Sequence, residues 1–285
     1  MEVQHDGVVN AGGDTRLVTA LSGPTPSSPY GRFGKTVKGA TTKLLRARSD
    51  KSAWSWGMSA LALAGACAVF VAHFFDSAAI VWERAGGSPL MSWIGELSPA
   101  GKFQWYMLPA LAGLVCAACA DWPARNRRGR GRLSLVYAQS AFALSTLFIT
   151  FLSNNLLKIV IGRARPRLFE EHGAAHFQPM TAGYDFASFP SGHATACGTV
   201  AAVLIIWFPR WSVPVLLIFS AVAISRIAVG AHYPSDVAAG FAIGFVVTLF
   251  IARWLAVRRL GFRLLPGRFL PRLRHAQALR AAPAK

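Results

Sequence analysis

The chain has 285 residues, of which 53% are hydrophobic and only 15% are charged. This balance is too apolar for an ordinary soluble domain, and the apolar residues lie in long uncharged runs, so the sequence predicts an all-α integral membrane protein. The formal net charge of +18 arises mostly in tails and one loop that flank these runs, and not along a basic and aromatic polar face, which argues against a nucleic-acid-binding protein.

Residues 1–52 are polar and contain a Pro/Ser-rich stretch, SGPTPSSP, followed by scattered Lys and Arg. Nothing in this segment could bury a core, so it is predicted to be a basic and largely disordered tail. The first apolar run begins near Ala53 and lacks a small-residue cleavage pattern. We therefore interpret this run as an uncleaved membrane anchor and not as a signal peptide.

Six apolar runs follow, each about 17 to 25 residues long, which is the length that crosses a bilayer as an α-helix. They cover approximately residues 53–75, 102–120, 133–157, 192–208, 213–229 and 236–257. The segment between the first two runs holds Trp82 and Trp93, which favours a short interfacial helix. The sequence thus predicts a six-helix membrane domain over residues 53–258 and a basic C-terminal tail over residues 259–285.

Small residues within the runs indicate packing. Gly240 and Gly244 form a G-x-x-x-G pattern, which permits close helix approach, and we interpret it as intramolecular packing and not as a dimer contact. The four cysteines fall inside predicted helices without the further ligands that a zinc site needs, so they are interpreted as packing thiols. These cysteines are Cys67, Cys116, Cys119 and Cys197.

Ionisable side chains at membrane depth are costly, and they therefore mark candidate functional sites. Such residues occur at the ends of runs three to six, in KIVIGRARP, FPSGHAT and SRIAVGAHYPSD. If the third helix continues as far as Pro166, Lys158 and Arg165 lie on one side of it. The connections between runs three and four and between runs five and six emerge at the same membrane face, so the polar residues of these segments can converge. They are Lys158, Arg165, Ser191, Gly192, His193, Arg226, His232 and Asp236.

Three cations and a Ser-Gly turn that opens a helix would bind a multiply charged oxyanion, most naturally phosphate, because cations, free N–H groups and the helix dipole all favour negative charge. His232, with its far nitrogen held by Asp236, would present a nucleophilic nitrogen of fixed tautomer. His193 would protonate the leaving oxygen and later take a proton from water. The sequence thus predicts a phosphoryl-transfer site that needs neither a metal nor a cofactor.

The three segments match the patterns K-x6-R-P, P-S-G-H and S-R-x5-H-x3-D without a departure. In these patterns the chain resembles the type-2 phosphatidic acid phosphatase superfamily, the lipid phosphate phosphatases, over roughly residues 150–240. The resemblance implies that His232 forms a phosphohistidine, that Asp236 orients it and that His193 is the general acid and base. It also implies a phosphate-binding set of Lys158, Arg165, Ser191, Gly192 and Arg226.

The predicted function is hydrolysis of a lipid phosphomonoester or pyrophosphate. Phosphatidylglycerol phosphate, phosphatidic acid, undecaprenyl pyrophosphate and lipid A phosphates all remain open as substrates. One alternative is a lipid phosphotransferase that passes the same phosphoryl group to a lipid acceptor. A transporter or channel is a further alternative, but it would place ionisable residues at mid-span or show internal repeats. The resemblance extends to soluble vanadium haloperoxidases, a role that six spans argue against.

Other polar residues receive structural interpretations. Arg163 and Arg167 flank the first motif segment and are interpreted as solvated loop residues, with attraction of anions as the alternative. Four further histidines are assigned to a solvated loop or to interfaces: His73, His172, His176 and His275.

The distribution of Lys and Arg predicts the orientation in the membrane. Residues 1–52, 121–132 and 253–285, together with Arg210, account for the whole net charge of +18, whereas the loops of the opposite face are balanced. Lys and Arg in short segments near span ends mark the cytoplasmic side, so both termini are predicted to be inside. The site then faces the periplasm of a bacterial inner membrane, toward lipids of its outer leaflet.

Overall fold

The computed structural model describes residues 52–274, which are mostly helical. A helix satisfies its own backbone hydrogen bonds, and for that reason apolar runs of this kind fold as helices. The helices are α1 (Trp56–His73), α2 (Asp76–Arg84), α3 (Pro89–Gly95), α4 (Phe103–Cys119), α5 (Arg127–Ile161), α6 (Phe169–His172), α7 (Gly192–Trp207), α8 (Ser212–Ala228) and α9 (Pro234–Val257). Short 3₁₀ turns lie at Ser98–Gly101, Pro166–Leu168 and Pro209–Trp211, and strands β1 (Phe262–Arg263) and β2 (Arg272–Leu273) pair antiparallel.

Each of the six predicted apolar runs contains one long helix. Within residues 52–274, four helical segments are long and apolar enough to cross a membrane: α1, α5, α9 and the segment 209–228 that contains α8. Helices α4 and α7 are apolar but shorter, with 17 and 16 residues. The described part of the chain is therefore helical with four candidate spans, and six spans remain a proposal. The predicted tail over residues 1–52 lies outside the described residues except for Ser52.

Helix α5 extends beyond the predicted apolar run at both ends, but it ends before Pro166, the residue to which its continuation was predicted. The helix ends at Ile161 because Gly162 adopts the left-handed conformation, with φ 62°, and its N–H donates to the Lys158 carbonyl at 2.9 Å. A Cβ at Gly162 would lie 1.8 Å from the Gln178 carbonyl oxygen, so only glycine fits this cap. Arg165 consequently lies in an extended segment and does not share a helix face with Lys158.

The segment between α1 and α4 forms more structure than the single interfacial helix predicted from its tryptophans. It folds as α2, α3 and the 3₁₀ turn Ser98–Gly101, and each of the three contacts α8. Asp76, the first residue of α2, is only 1% exposed. This segment therefore brings polar groups to the face of the bundle where the motif residues gather.

Helices α7 and α9 pack at the centre of the bundle with their backbones in close contact. A Cβ at Gly240 would lie 2.3 Å from the Ser191 carbonyl oxygen, and one at Gly244 would lie 2.2 Å from that of Thr195. The interpretation of G-x-x-x-G as an intramolecular packing motif agrees with these contacts. They fix the start of α7 against the start of α9.

The β-hairpin, in the region assigned to a C-terminal tail, packs against the bundle. Phe262 is buried, and its ring centroid lies 4.8 Å from that of Phe142 in α5. The Arg253 guanidinium donates to the Phe269 carbonyl at 2.6 Å and to the Ala53 carbonyl at 2.7 Å. These contacts anchor residues 259–274, whereas the rest of the predicted tail lies outside the described residues.

The cysteines differ in burial. Cys197 in α7 is fully buried, as a packing thiol should be, but three others are exposed on the outer surface of the helices. The packing interpretation was therefore wrong for Cys67, Cys116 and Cys119. Runs that are apolar on every face do not reveal which side points inward.

Candidate functional site

The three motif segments meet at one end of the bundle. The Ser191 N–H, just before α7, donates to the Asp236 carbonyl in the first turn of α9 at 3.0 Å. This bond joins the second segment to the third and occupies one N–H that the sequence analysis left free for an anion. The first N–H groups of α7 itself, beginning with Gly192, have no partner within the helix because of their position in its first turn.

The two cations of the first segment are held by carbonyls of the 162–191 loop. The Lys158 ammonium and Arg165 Nη2 both donate to the Ala187 carbonyl, the latter at 3.2 Å. Arg165 also donates to the Tyr184 carbonyl at 2.8 Å, and its guanidinium carbon lies 3.9 Å from the centroid of the Tyr184 ring. Burial lowers the pKa of Arg165 from its ordinary value, although the group stays charged. The Ala187 carbonyl thus brings Lys158 and Arg165 together, although the two residues do not share a helix face.

Arg226 and His193 lie against the 3₁₀ turn between α3 and α4. Arg226 Nη1 donates to Ser98 Oγ, and a Cβ at Gly101 would lie 2.9 Å from His193 Cδ2. Among the described residues, Arg226 Nε and Ser191 Oγ are buried without a hydrogen-bond partner. Buried polar atoms normally have hydrogen-bond partners. Two unsatisfied atoms within the predicted anion-binding set are therefore typical of a site that binds a ligand.

His232 is 3% exposed and lies beside Asp236, which is fully buried. The distance from His232 Nδ1 to Asp236 Oδ2 is 3.5 Å, too long for a well-formed hydrogen bond but close enough to become one after a small rotation of the ring. Burial lowers the pKa of His232 to about 4, against the opposing effect of the Asp236 carboxylate. The imidazole is therefore neutral at pH 7, as a nucleophile must be.

The Asp236 carboxylate accepts hydrogen bonds from three other groups. Ser188 Oγ donates to Oδ2 at 2.6 Å and the Tyr233 N–H at 3.0 Å, while Arg163 Nη1 donates to Oδ1 at 2.6 Å. Asp236 is the third residue of α9 and closes a capping box with Tyr233, so it is not the N-cap itself. These bonds fix the carboxylate beneath the His232 ring.

Arg163 is the largest departure from the sequence analysis, which interpreted it as a solvated loop residue. It is 1% exposed and binds two carboxylates, Asp236 at 2.6 Å and Asp76 at 2.7 Å. Although burial opposes its charge, Asp236 and Asp76 together raise the pKa of Arg163 above its ordinary value. The guanidinium is also stacked 4.3 Å from the centroid of the Tyr233 ring. Arg163 therefore belongs to the interior of the site.

Asp76 and Ser188 were not identified from the sequence. Asp76 precedes Arg163 by 87 residues and lies outside all three motif segments, so no local spacing connects them. The one sequence feature that distinguished Asp76 was its position directly after the first apolar run. By contrast, His172 and His176 lie between α5 and α7 as predicted, with their rings stacked 4.3 Å apart.

Comparison with known proteins adds an independent finding. Residues 139–260 match the family described as the PAP2 superfamily. That range contains all eight predicted site residues, together with Arg163 and Ser188, but not Asp76 or Ser98. No solved structure matches the chain.

Three named proteins are similar to part of this chain. A lipid A 1-phosphatase of Rhizobium etli is 38% identical over 142 residues, which cover 50% of this chain and 61% of that protein. A decaprenylphosphoryl-5-phosphoribose phosphatase of Mycobacterium tuberculosis is 37% identical over 118 residues, 41% of this chain and 59% of that protein. An undecaprenyl-diphosphatase of Sulfolobus acidocaldarius is 34% identical over 118 residues, 39% of this chain and 55% of that protein. The chain thus spans less than two thirds of the length of each of these relatives.

Proposed function

Because residues 139–260 match the PAP2 superfamily, we propose that this chain is a membrane-embedded phosphatase that hydrolyses a phosphate ester or pyrophosphate on a lipid. One observation carries the proposal: three cations and two histidines gather around buried donors, Ser191 Oγ and Arg226 Nε, that lack a protein partner among the described residues. A tetrahedral phosphate offers acceptor oxygens to such donors.

The first chemical step would transfer the phosphoryl group to His232. The lone pair of its Nε2 attacks phosphorus, the bond from phosphorus to the leaving oxygen breaks, and His193 gives that oxygen a proton. The Nδ1 proton of His232 stays on the ring and turns toward Asp236, 3.5 Å away. The ring becomes a phosphoimidazolium cation, whose charge the Asp236 carboxylate balances. Lys158, Arg165 and Arg226 stabilise the negative charge on the phosphoryl oxygens.

The second step would return the enzyme to its starting state. His193 takes a proton from a water molecule, whose oxygen attacks phosphorus while the bond to His232 Nε2 breaks. The bonding electrons return to the imidazole, which becomes neutral, and inorganic phosphate leaves. Phosphoryl transfer elsewhere depends on magnesium to neutralise this charge, but here three cationic side chains would do so. Residues 52–274 contain no group of three His, Cys, Asp or Glu side chains placed to hold a metal ion.

The substrate class follows from where the site lies. The motif residues cluster at one end of a bundle whose outer surface is rich in exposed Leu, Val, Ile and Phe, so a lipid tail can stay in the bilayer while its phosphate reaches the site. The similar proteins are named for lipid A, a decaprenyl phosphate derivative and undecaprenyl diphosphate. We propose a phosphorylated lipid of the bacterial envelope from this group of chemistries, with phosphatidic acid and phosphatidylglycerol phosphate as the comparison substrates.

Purified enzyme in detergent is expected to release inorganic phosphate from at least one of these lipids without an added acceptor. Activity should persist in EDTA, and vanadate, which resembles five-coordinate phosphorus, should inhibit it. Phosphate release is followed for each lipid with and without EDTA, and with zinc- and magnesium-supplemented controls. Turnover only with a lipid acceptor would show a phosphotransferase instead, and loss of activity in EDTA that magnesium restores would refute the metal-independent mechanism.

We further propose that both termini are cytoplasmic and that the site faces the periplasm. In a variant with all native cysteines replaced by alanine, Met180→Cys should react with a membrane-impermeant maleimide in intact spheroplasts. Met180 lies in the 162–191 loop and is 75% exposed. Ala124→Cys, an exposed position before α5, should react only after lysis. The opposite pattern would reverse the orientation and the leaflet from which the substrate is taken.

A further inference from the structure

A second buried carboxylate lies behind the one that contacts His232. Asp76 Oδ2 accepts from Arg163 Nη2 at 2.7 Å, and the other nitrogen of the same guanidinium, Nη1, donates to Asp236 at 2.6 Å. All three side chains are at most 1% exposed. Arg163 therefore bridges two carboxylates in the interior of the site, one at His232 and one on α2.

Ser235 closes the same network from α9. Its N–H donates to Asp76 Oδ1 at 2.9 Å, and its hydroxyl lies 2.6 Å from Asp76 Oδ2 and 2.7 Å from Arg163 Nη1. Because Ser235 directly precedes Asp236 in the chain, Asp76 binds the backbone of the helix turn that carries Asp236. The start of α2 and the start of α9 are thereby fixed to each other by charged hydrogen bonds, which are the stronger class.

The charges of this network explain why a second carboxylate is useful. Arg163 alone would neutralise Asp236, and a neutral pair gives little stabilisation to a cation on His232. Asp76 returns the buried cluster of Asp76, Arg163 and Asp236 to a net charge of −1. The phosphoimidazolium formed in the first step then faces a net negative cluster at low dielectric, where charge interactions are strong.

We propose that Asp76, which lies outside the matched family region and the three motif segments, is a positioning residue for the phosphohistidine step. It orients Arg163 and the start of α9, and it supplies the negative charge that Arg163 would otherwise cancel at Asp236. This inference rests on the proposed phosphatase function, since it needs His232 to carry a phosphoryl group.

The test is a double-mutant cycle over Asp76 and Arg163. Asp76→Asn should lower kcat about 10- to 100-fold, as loss of an outer hydrogen-bonding partner does elsewhere, with KM nearly unchanged because Asp76 does not touch the substrate. Asp76→Glu should recover part of the loss. Adding Arg163→Gln to Asp76→Asn leaves Asp236 as the only charge of the cluster, so the double variant should be faster than Asp76→Asn alone.

Rates are expressed per vanadate-binding site, so that loss of folded protein does not count as loss of kcat. Glu170→Gln is the matched control, because Glu170 pairs with Arg84 and also joins α2 to the 162–191 loop, but at the exposed surface and away from Asp236. It should leave kcat unchanged. A double variant no faster than Asp76→Asn would overturn the electrostatic role, and an Asp76→Asn enzyme with wild-type kcat would overturn the inference entirely. Both results would leave the proposed function intact. The proposed function fails separately, if the wild-type enzyme neither releases phosphate nor forms a phosphoenzyme.

Discussion

Replacing His232 with alanine is expected to abolish turnover together with any acid-labile phosphoenzyme. The other buried side chains that bond Asp236 are the Arg163 guanidinium, already held by two carboxylates, and the Ser188 hydroxyl, whose phosphate ester would be stable to acid. Brief incubation with a ³²P-labelled lipid, followed by quenching in alkali, measures the phosphohistidine, which survives base and is lost in acid. A normal yield of phosphoenzyme in His232→Ala would refute the assignment of the nucleophile.

The matched comparison is His193→Ala. It should lower kcat by about 10² to 10⁴, the range for loss of a general acid or base, while a phosphoenzyme still forms. The loss in the rate of phosphoenzyme formation should be smaller with a pyrophosphate substrate than with a phosphate monoester, because a phosphate leaving group needs less protonation than an alkoxide. His172→Ala changes a loop histidine outside the motif residues and should have no effect on either measurement.

Replacing Arg163 with alanine is expected to cause the largest loss of stability among single changes at the site. The substitution leaves Asp76 and Asp236 buried without their shared cation, and removing one partner from a buried ion pair costs about 3–5 kcal/mol. The free energy of unfolding in detergent, from denaturant titration followed by tryptophan fluorescence, measures this loss.

Arg167 provides the control for Arg163. It pairs with Asp185, but the two side chains are 53% and 44% exposed, and a surface pair of this kind contributes about 0–1 kcal/mol. Arg167→Ala should therefore barely change the free energy of unfolding. Equal losses for the two variants would show that the interior network around Arg163 does not contribute as the geometry indicates.

These two arginines also show where sequence reasoning ends. They stand four residues apart in the same basic segment, and nothing in the local pattern distinguishes them, yet one is buried and the other is solvated. The difference depends on Asp76, which reaches Arg163 only after α2 has packed against α8 and α9. When a residue is buried because of a partner far away in the chain, no periodic pattern in the local sequence indicates that burial.

What the sequence does predict is the part fixed by local chemistry. Uncharged apolar runs predict helices, and the six long ones formed where expected to within a few residues at most ends. The order of polar segments at run ends predicted which residues meet, and the Ser191–Asp236 bond joins two of those segments. The end of α5 differed from the prediction because Gly162 is a stop signal only when it adopts the left-handed conformation, which the sequence alone does not reveal.

The backbone contact between α7 and α9 has a consequence for how this protein can be altered. At Gly198 a Cβ would lie 2.1 Å from the Phe241 carbonyl oxygen, as close as at Gly240 and Gly244, so the two helices that carry the phosphate chemistry tolerate almost no added volume. The outward faces of α4 and α8, with Leu108 and Leu217 more than half exposed, carry no such constraint. Substitutions that vary these outer faces are thus expected to leave the reacting centre of the proposed phosphatase intact.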